Sequence, residues 1–154
     1  MIREVGLDDI DRINELYRIL FAHMQELEPQ YMTTTDQDPI FLQDVIAQED
    51  NFIGLVYQEE ERIDGLIVAQ LQTTPPYNCF LPQRSVYVMD IIVSPEKRGQ
   101  GIGTQLINEI KQWAIEHGAD FMELNVLSNN QPAISMYRRE GFRPFSKSMR
   151  MRLK

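Results

Sequence analysis

Val86-Tyr87-Val88-Met89-Asp90-Ile91-Ile92-Val93 is a run of β-formers that passes through Ser94-Pro95-Glu96-Lys97 into Arg98-Gly99-Gln100-Gly101-Ile102-Gly103-Thr104. Beyond it, Ile102, Leu106, Ile110, Trp113 and Ala114 recur along one face of a helix that Gly118 stops. Alternate glycines between a strand and a helix remove Cβ atoms from a tight turn. Consecutive backbone N–H groups then converge beside the positive end of a helix dipole, a geometry that binds phosphate.

Three nucleotide-binding patterns compete for this turn. A triphosphate P-loop requires Gly-x-x-x-x-Gly-Lys-Ser/Thr, a spacing found nowhere in the chain. A dinucleotide fingerprint requires Gly-x-Gly-x-x-Gly, whereas Gly99, Gly101 and Gly103 are spaced Gly-x-Gly-x-Gly. Its turn would also follow the first strand, and here some ninety residues of mostly antiparallel pattern come first. Glu123, about twenty residues downstream where an acidic ribose contact would fall, is the one point in its favour. The third pattern joins Arg98-x-x-Gly101-x-Gly103 to the strand before it and to the segment Asn130 to Tyr137 after it.

Working outward, Ile2 to Val5 reads as a short strand, and Leu7, Ile10, Ile13, Leu16, Tyr17, Leu20, Phe21 and Met24 predict a helix over 7–27. Asp8 and Asp9 suit its N-terminal end, and Pro29 marks its stop. Residues 33–39 form a polar loop in which Asp38 caps a second helix over 39–49. Residues 51–58 and 62–73 make an antiparallel hairpin around Glu59-Glu60-Glu61. Thr74-Pro75-Pro76-Tyr77-Asn78 breaks the sheet, so 74–84 is an irregular connection able to cover an acceptor site. Phe121 to Leu127 is a strand, and Asn129-Asn130-Gln131-Pro132 opens a fourth helix that ends near Gly141. In the tail Met149, Met151 and Leu153 alternate with Arg150, Arg152 and Lys154, the period of a half-buried strand. A core-facing edge strand and a dimer surface both fit that alternation.

A chain of 154 residues suits one domain, 1–154, with a core that needs no cross-link. The lone Cys79 leaves no internal disulfide, and His23 and His117 lie far apart, so no metal cluster is expected. Neither a membrane span nor a signal peptide is evident, and a cytoplasmic protein is the expectation. A net charge of −8 argues against nucleic acid as the main partner. Residues 1–64 hold 16 acidic against 4 basic side chains, and residues 65–154 hold 7 against 11. The division is compatible with solvated acidic faces, or with an acidic half that draws in a cation and a basic half that meets an anion.

From Val86 to Phe142 the sequence resembles the Gcn5-related N-acetyltransferases. The resemblance rests on Ile91-x-Val93-x-Pro95-x-x-Arg98-Gly99-x-Gly101-Ile102-Gly103 followed by Asn130-x-x-Ala133-x-x-x-Tyr137-x-x-x-Gly141-Phe142, in the family's order and separation. Residues 1–73 match only as an order of elements. The resemblance implies a mixed α/β fold with a mostly antiparallel sheet of six to seven strands, splayed between strands four and five and flanked by about four helices. It implies an enzyme that takes acetyl-CoA as co-substrate, uses no metal, and transfers the acetyl group to a primary amine. Residues 99–104 (Gly99, Gln100, Gly101, Ile102, Gly103 and Thr104) and Arg98 would hold the pyrophosphate. The backbone of Ile91, Ile92 and Val93 would hold the pantetheine arm, with an N–H near Ile91 supporting the thioester oxygen, and Asn130 would contact the cofactor.

Amine acetylation requires a neutral nucleophile, support for the developing oxyanion and a proton for the departing thiolate. Tyr137 matches the family tyrosine that lies near the sulfur, and a phenol protonated at neutral pH can supply that proton. Where some histone-type members carry a strand-four glutamate, four residues before Ile91, this chain has Tyr87. Asp90 is the remaining strand-four carboxylate, with Glu123 and residues of the first helix as alternatives acting through water, or water alone as the proton acceptor. The acceptor expected is a small cationic amine. A protein or peptide amine is the alternative within the same chemistry, and a non-catalytic acyl-CoA-binding module the alternative outside it.

Overall fold

The computed structural model describes all 154 residues. Five strands, β1 (Ile2–Glu4), β2 (Phe52–Glu59), β3 (Arg62–Thr73), β4 (Arg84–Val93) and β5 (Phe121–Leu124), form one sheet in the order β1-β2-β3-β4-β5. All neighbours are antiparallel except β4 and β5, which run parallel. Four helices accompany them: α1 (Ile10–Leu27), α2 (Pro39–Ala47), α3 (Ile102–Glu116) and α4 (Gln131–Arg139).

Both faces of the sheet are covered, which explains the nearly continuous burial of β3. On one face Ile13, Leu16 and Tyr17 of α1 and Leu42 and Val45 of α2 pack on Val56, Leu66, Val68 and Ile92. On the other, Leu106, Ile107 and Ile110 of α3 pack on Ile67, Ala69, Val86 and Val88. Alternate residues of β3 and β4 thus serve opposite layers, as a period of two requires.

That alternation breaks once. Val68 pairs with Asp90 and Ala69 with Val88, so Met89 is an extra residue in β4. The bulge places Met89 and Asp90 in succession on the α1 side of the sheet.

Most boundaries follow the sequence reading, with local differences. The first turn of the expected helix 7–27 is a 3₁₀ turn over Leu7–Asp9. There Asp9 accepts hydrogen bonds from the Gly6 N–H and from both terminal nitrogens of Arg3, which hold its carboxyl below the usual range. Helix α2 begins as expected, with the Asp38 carboxylate accepting from the Ile40 N–H at 2.9 Å. It ends earlier than expected, because Gln48 has left-handed φ. Strand β5 stops at Leu124 rather than Leu127.

The larger correction concerns the strand count. The sheet has five strands instead of six to seven, because the alternating tail is not a strand of this sheet. Residues 143–154 make no backbone–backbone hydrogen bond, and Met149, Met151 and Leu153 are 92%, 81% and 86% exposed. Period two makes a segment fit for a sheet, but it becomes a strand only beside a free edge, and nothing in the local sequence supplies that edge.

Candidate active site

The parallel ladder between β4 and β5 covers only Ser85 to Val88 against Phe121 to Leu124. Beyond Val88 the edge of β4 that would face β5 has no strand partner, so Met89 to Val93 line a fork in the sheet. The bulge lies at the start of this fork. Tyr87 spans its closed end, where its hydroxyl accepts from Asn125 Nδ2 at 2.8 Å.

Below the fork the chain leaves β4 through Ser94-Pro95-Glu96-Lys97, which is tied to the rest of the fold. Ser94 is 1% exposed; its N–H donates to the Asp64 carbonyl at 2.8 Å, and its hydroxyl accepts from Arg12 at 2.9 Å. Arg12 Nε also donates to the Ile63 carbonyl at 2.8 Å. The buried Asp64 carboxylate stands 2.8 Å from Arg62 Nε and 3.5 Å from Arg12, as charge contacts off the hydrogen-bond direction. Lys97 pairs with Glu59 at 3.0 Å. This bracket fixes where the glycine turn starts, and pattern reading of residues far apart in the chain offered no sign of it.

The turn itself has the conformation its glycines permit. Gly99 and Gly101 have φ of +78° and +82°, and a Cβ built on either would meet no atom within 4 Å. Left-handed backbone is costly for a residue with a Cβ, so the glycines are required by conformation and the space beside them is open. No N–H from Gly99 to Thr104 donates to a backbone carbonyl, and the first helical bond of α3 is Gln105 N–H to the Gly101 carbonyl. Six successive donors therefore gather at the positive end of a 15-residue helix.

Gly103 has a different reason. Its φ is ordinary, but an added Cβ would lie 3.1 Å from Met136 Sδ. Its bare backbone lets α4 approach α3. Thr104 reinforces that contact by donating to Glu140 at 2.8 Å, so its side chain serves the helix pair while its N–H faces the turn. Arg98 is exposed and donates from Nε to the Val93 carbonyl at 3.2 Å, which holds its guanidinium beside the turn.

Helix α4 carries Tyr137 against the α3 layer, packed edge to face on Phe142 with ring centroids 5.9 Å apart. Burial, and secondarily the charge of Asp90, pushes the Tyr137 hydroxyl up to about 12. Asp90 is mostly buried, and burial raises its carboxyl above the ordinary value against an opposing hydrogen bond from Tyr17. That bond runs from the Tyr17 hydroxyl to Asp90 Oδ2 at 2.8 Å. Tyr17 looked like a core residue by its spacing, and it is fully buried, but its hydroxyl reaches the fork.

Asn130 serves as the N-cap of α4, its side-chain oxygen accepting from the Ala133 N–H at 3.4 Å. The neighbouring Asn129 donates to the Leu27 carbonyl at 2.6 Å and ties the entry of α4 to the end of α1. No sequence motif had marked Asn129 or Tyr17. Glu123 lies on β5 and is partly exposed.

Fork, turn and helices border one open cleft of about 2760 Å³, whose wall runs from Met24 and Tyr31 past Asp90 and Tyr137 to Gly101. The 74–83 connection contributes Cys79, Phe80 and Leu81 to it. No group of three or more His, Cys, Asp or Glu side chains is placed to hold a metal ion, and no helix is long and apolar enough to cross a membrane.

Known proteins share this arrangement. A mutant of the BH1408 protein of Bacillus halodurans superposes with a TM-score of 0.94 at 25% identity, covering 100% of this chain and 99% of that one. The aminoglycoside N-acetyltransferase AAC(6')-Iy, in complex with the bisubstrate analog CoA-S-monomethyl-acetylneamine, superposes with a TM-score of 0.71 at 19% identity, covering 100% and 97%. In sequence, the thialysine N-epsilon-acetyltransferase of Sus scrofa is 37% identical over 65 residues, 42% of this chain and 38% of that protein. The chain's matches to the first curated relatives span 23% to 59% of those proteins' lengths. The acetyltransferase (GNAT) family matches residues 13–142, from α1 through the glycine turn to the end of α4, and the chain belongs to that family.

Proposed function

We propose that this protein transfers the acetyl group of acetyl-CoA to a primary amine of a small cationic molecule. The observation that carries the reading is the row of unpaired N–H groups from Gly99 to Thr104 opening beside a forked β4–β5 pair. The open space at Gly99 and Gly101 fits a pyrophosphate, whose charge the α3 dipole and Arg98 would complement. The free edge of Ile91, Ile92 and Val93 then offers backbone partners to the pantetheine arm, and Asn130 shapes the wall beside it.

In this reading the amine first loses its ammonium proton to water, and its nitrogen attacks the thioester carbon. Backbone N–H near Ile91 supports the oxygen as charge develops. The new C–N bond forms and the C–S bond breaks. Asp90 accepts the second amine proton, and Tyr137 donates a proton to the departing sulfur, which leaves as the thiol. Asp90 and the acidic side chains of the cleft wall, Glu28 and Glu123, favour a cation at the acceptor end. The amine substrates named for the thialysine and aminoglycoside enzymes are in keeping with that choice.

The test is a panel of polyamines, aminoglycosides, lysine analogues and peptides incubated with acetyl-CoA, reading thiol release and product mass. The exposed Cys79 contributes a constant background thiol. Release with small cations is expected. Release with peptides alone would replace the acceptor class, and no release with any amine alongside retained acetyl-CoA binding would replace catalysis with an acyl-CoA-binding role.

A further inference from the structure

The sheet stops abruptly at β5. This strand pairs with β4 alone, so its outer edge carries backbone groups with no strand partner. Phe121 and, just past the strand, Val126 are 40% and 37% exposed. An open edge of this kind is normally charged, bulged or covered, because it templates another strand.

The same chain holds an unused strand. Residues 143–154 are extended in pattern and free of backbone–backbone hydrogen bonds, and they expose Phe145, Met149, Met151 and Leu153. Within its own chain this tail is held only by exposed side chains: the Arg150 guanidinium lies 3.5 Å over the Tyr31 ring, and Arg152 reaches Gln30. Those contacts hold residues 150–152 at the loop after α1, not in the ladder beside β5. The tail has five basic and no acidic residues, in a chain whose net charge is −8. It is therefore complementary to another copy of this chain. Phe145, Met149 and Arg150 also border the cleft, which at about 2760 Å³ exceeds the ~300–1,000 Å³ of a typical small-molecule pocket.

We propose that two copies of the chain exchange residues 143–154, each tail adding a sixth strand to the β5 edge of its partner. The exchange satisfies two free edges with one symmetric contact and removes four large apolar side chains from water on each side. It also walls the open side of the partner's cleft, so the acceptor end is completed in the pair. The inference stands on the edge and the tail and does not depend on which acceptor is acetylated.

Sedimentation equilibrium of the full chain is expected to give about twice 18.0 kDa at micromolar concentration. The double variant Met149→Glu/Met151→Glu is expected to sediment as a monomer with an unchanged circular dichroism spectrum. A second arm uses Val126→Cys and Met151→Cys on a Cys79→Ser background with a flexible bismaleimide, and expects cross-linked product at dimer mass. A monomeric parent chain, a dimer indifferent to the two glutamates, or cross-linking confined to monomer mass would each overturn the proposal. If the glutamate variant fails to fold, the cross-link decides.

Discussion

The Tyr17 hydroxyl donates to Asp90 Oδ2 at 2.8 Å, joining the core of α1 to the bulge in β4. The contact exists because the extra residue Met89 turns Asp90 toward α1, where an unbulged strand would turn it toward α3. Burial raises the Asp90 carboxyl, and the Tyr17 bond works against that rise by stabilising the ionised form.

Tyr17→Phe keeps the ring and removes the donor. The Asp90 carboxyl should then move further up, and because a base must be ionised, the acid limb of kcat should shift to higher pH. Loss of the bond to a buried acceptor should cost about 1–3 kcal/mol of stability. Asp90→Asn should abolish that limb altogether. A pH–rate profile of the three proteins checks both statements, and an unshifted limb in Tyr17→Phe would remove Asp90 from the proton path.

Tyr137→Phe should lower turnover about 100-fold while acetyl-CoA affinity changes little, because the ring packing on Phe142 is retained. With its hydroxyl pushed up to about 12, Tyr137 keeps its proton throughout the working range. The parent enzyme should therefore show no loss of kcat from Tyr137 below pH 10. Stopped-flow turnover and calorimetric binding separate the two effects.

The glycines of the turn should respond differently to the same substitution. Gly101→Ala places a Cβ on left-handed backbone in open space, so it should cost about 1–2 kcal/mol of conformational strain and weaken acetyl-CoA binding. Gly103→Ala meets Met136 Sδ at 3.1 Å, and a flexible thioether can yield, so the loss should be small and confined to stability. Gly103→Leu should separate α3 from α4. Calorimetry and thermal melts distinguish the pair.

Arg12→Ala should loosen the bracket that seats Ser94. It removes donors to Ile63 and Ser94 and leaves buried Asp64 with Arg62 alone, a cost of about 2–3 kcal/mol. Acetyl-CoA affinity should fall as well, although Arg12 is no part of the glycine turn. Arg12→Lys should not restore it, because an ammonium cannot reproduce the guanidinium fork. Chemical denaturation and binding titration test the two consequences.

The sequence by itself determined the elements and the turn. Period two in β2 to β4, period near 3.6 in α1 and α3, and glycines at positions 99, 101 and 103 are local constraints, since backbone freedom and side-chain direction depend on near neighbours. They were sufficient to reveal the donor end and Tyr137. Tertiary structure decided what depends on partners remote in the chain. The bulge that aims Asp90, the hydroxyl of Tyr17 behind it, the Arg12–Ser94 bracket and the Asn129 tie each join segments tens of residues apart. The tail shows the limit most plainly. Met149, Met151 and Leu153 have a strand's alternation, but a strand needs an edge to pair with, and the fold of a single chain offers this one none where it lies.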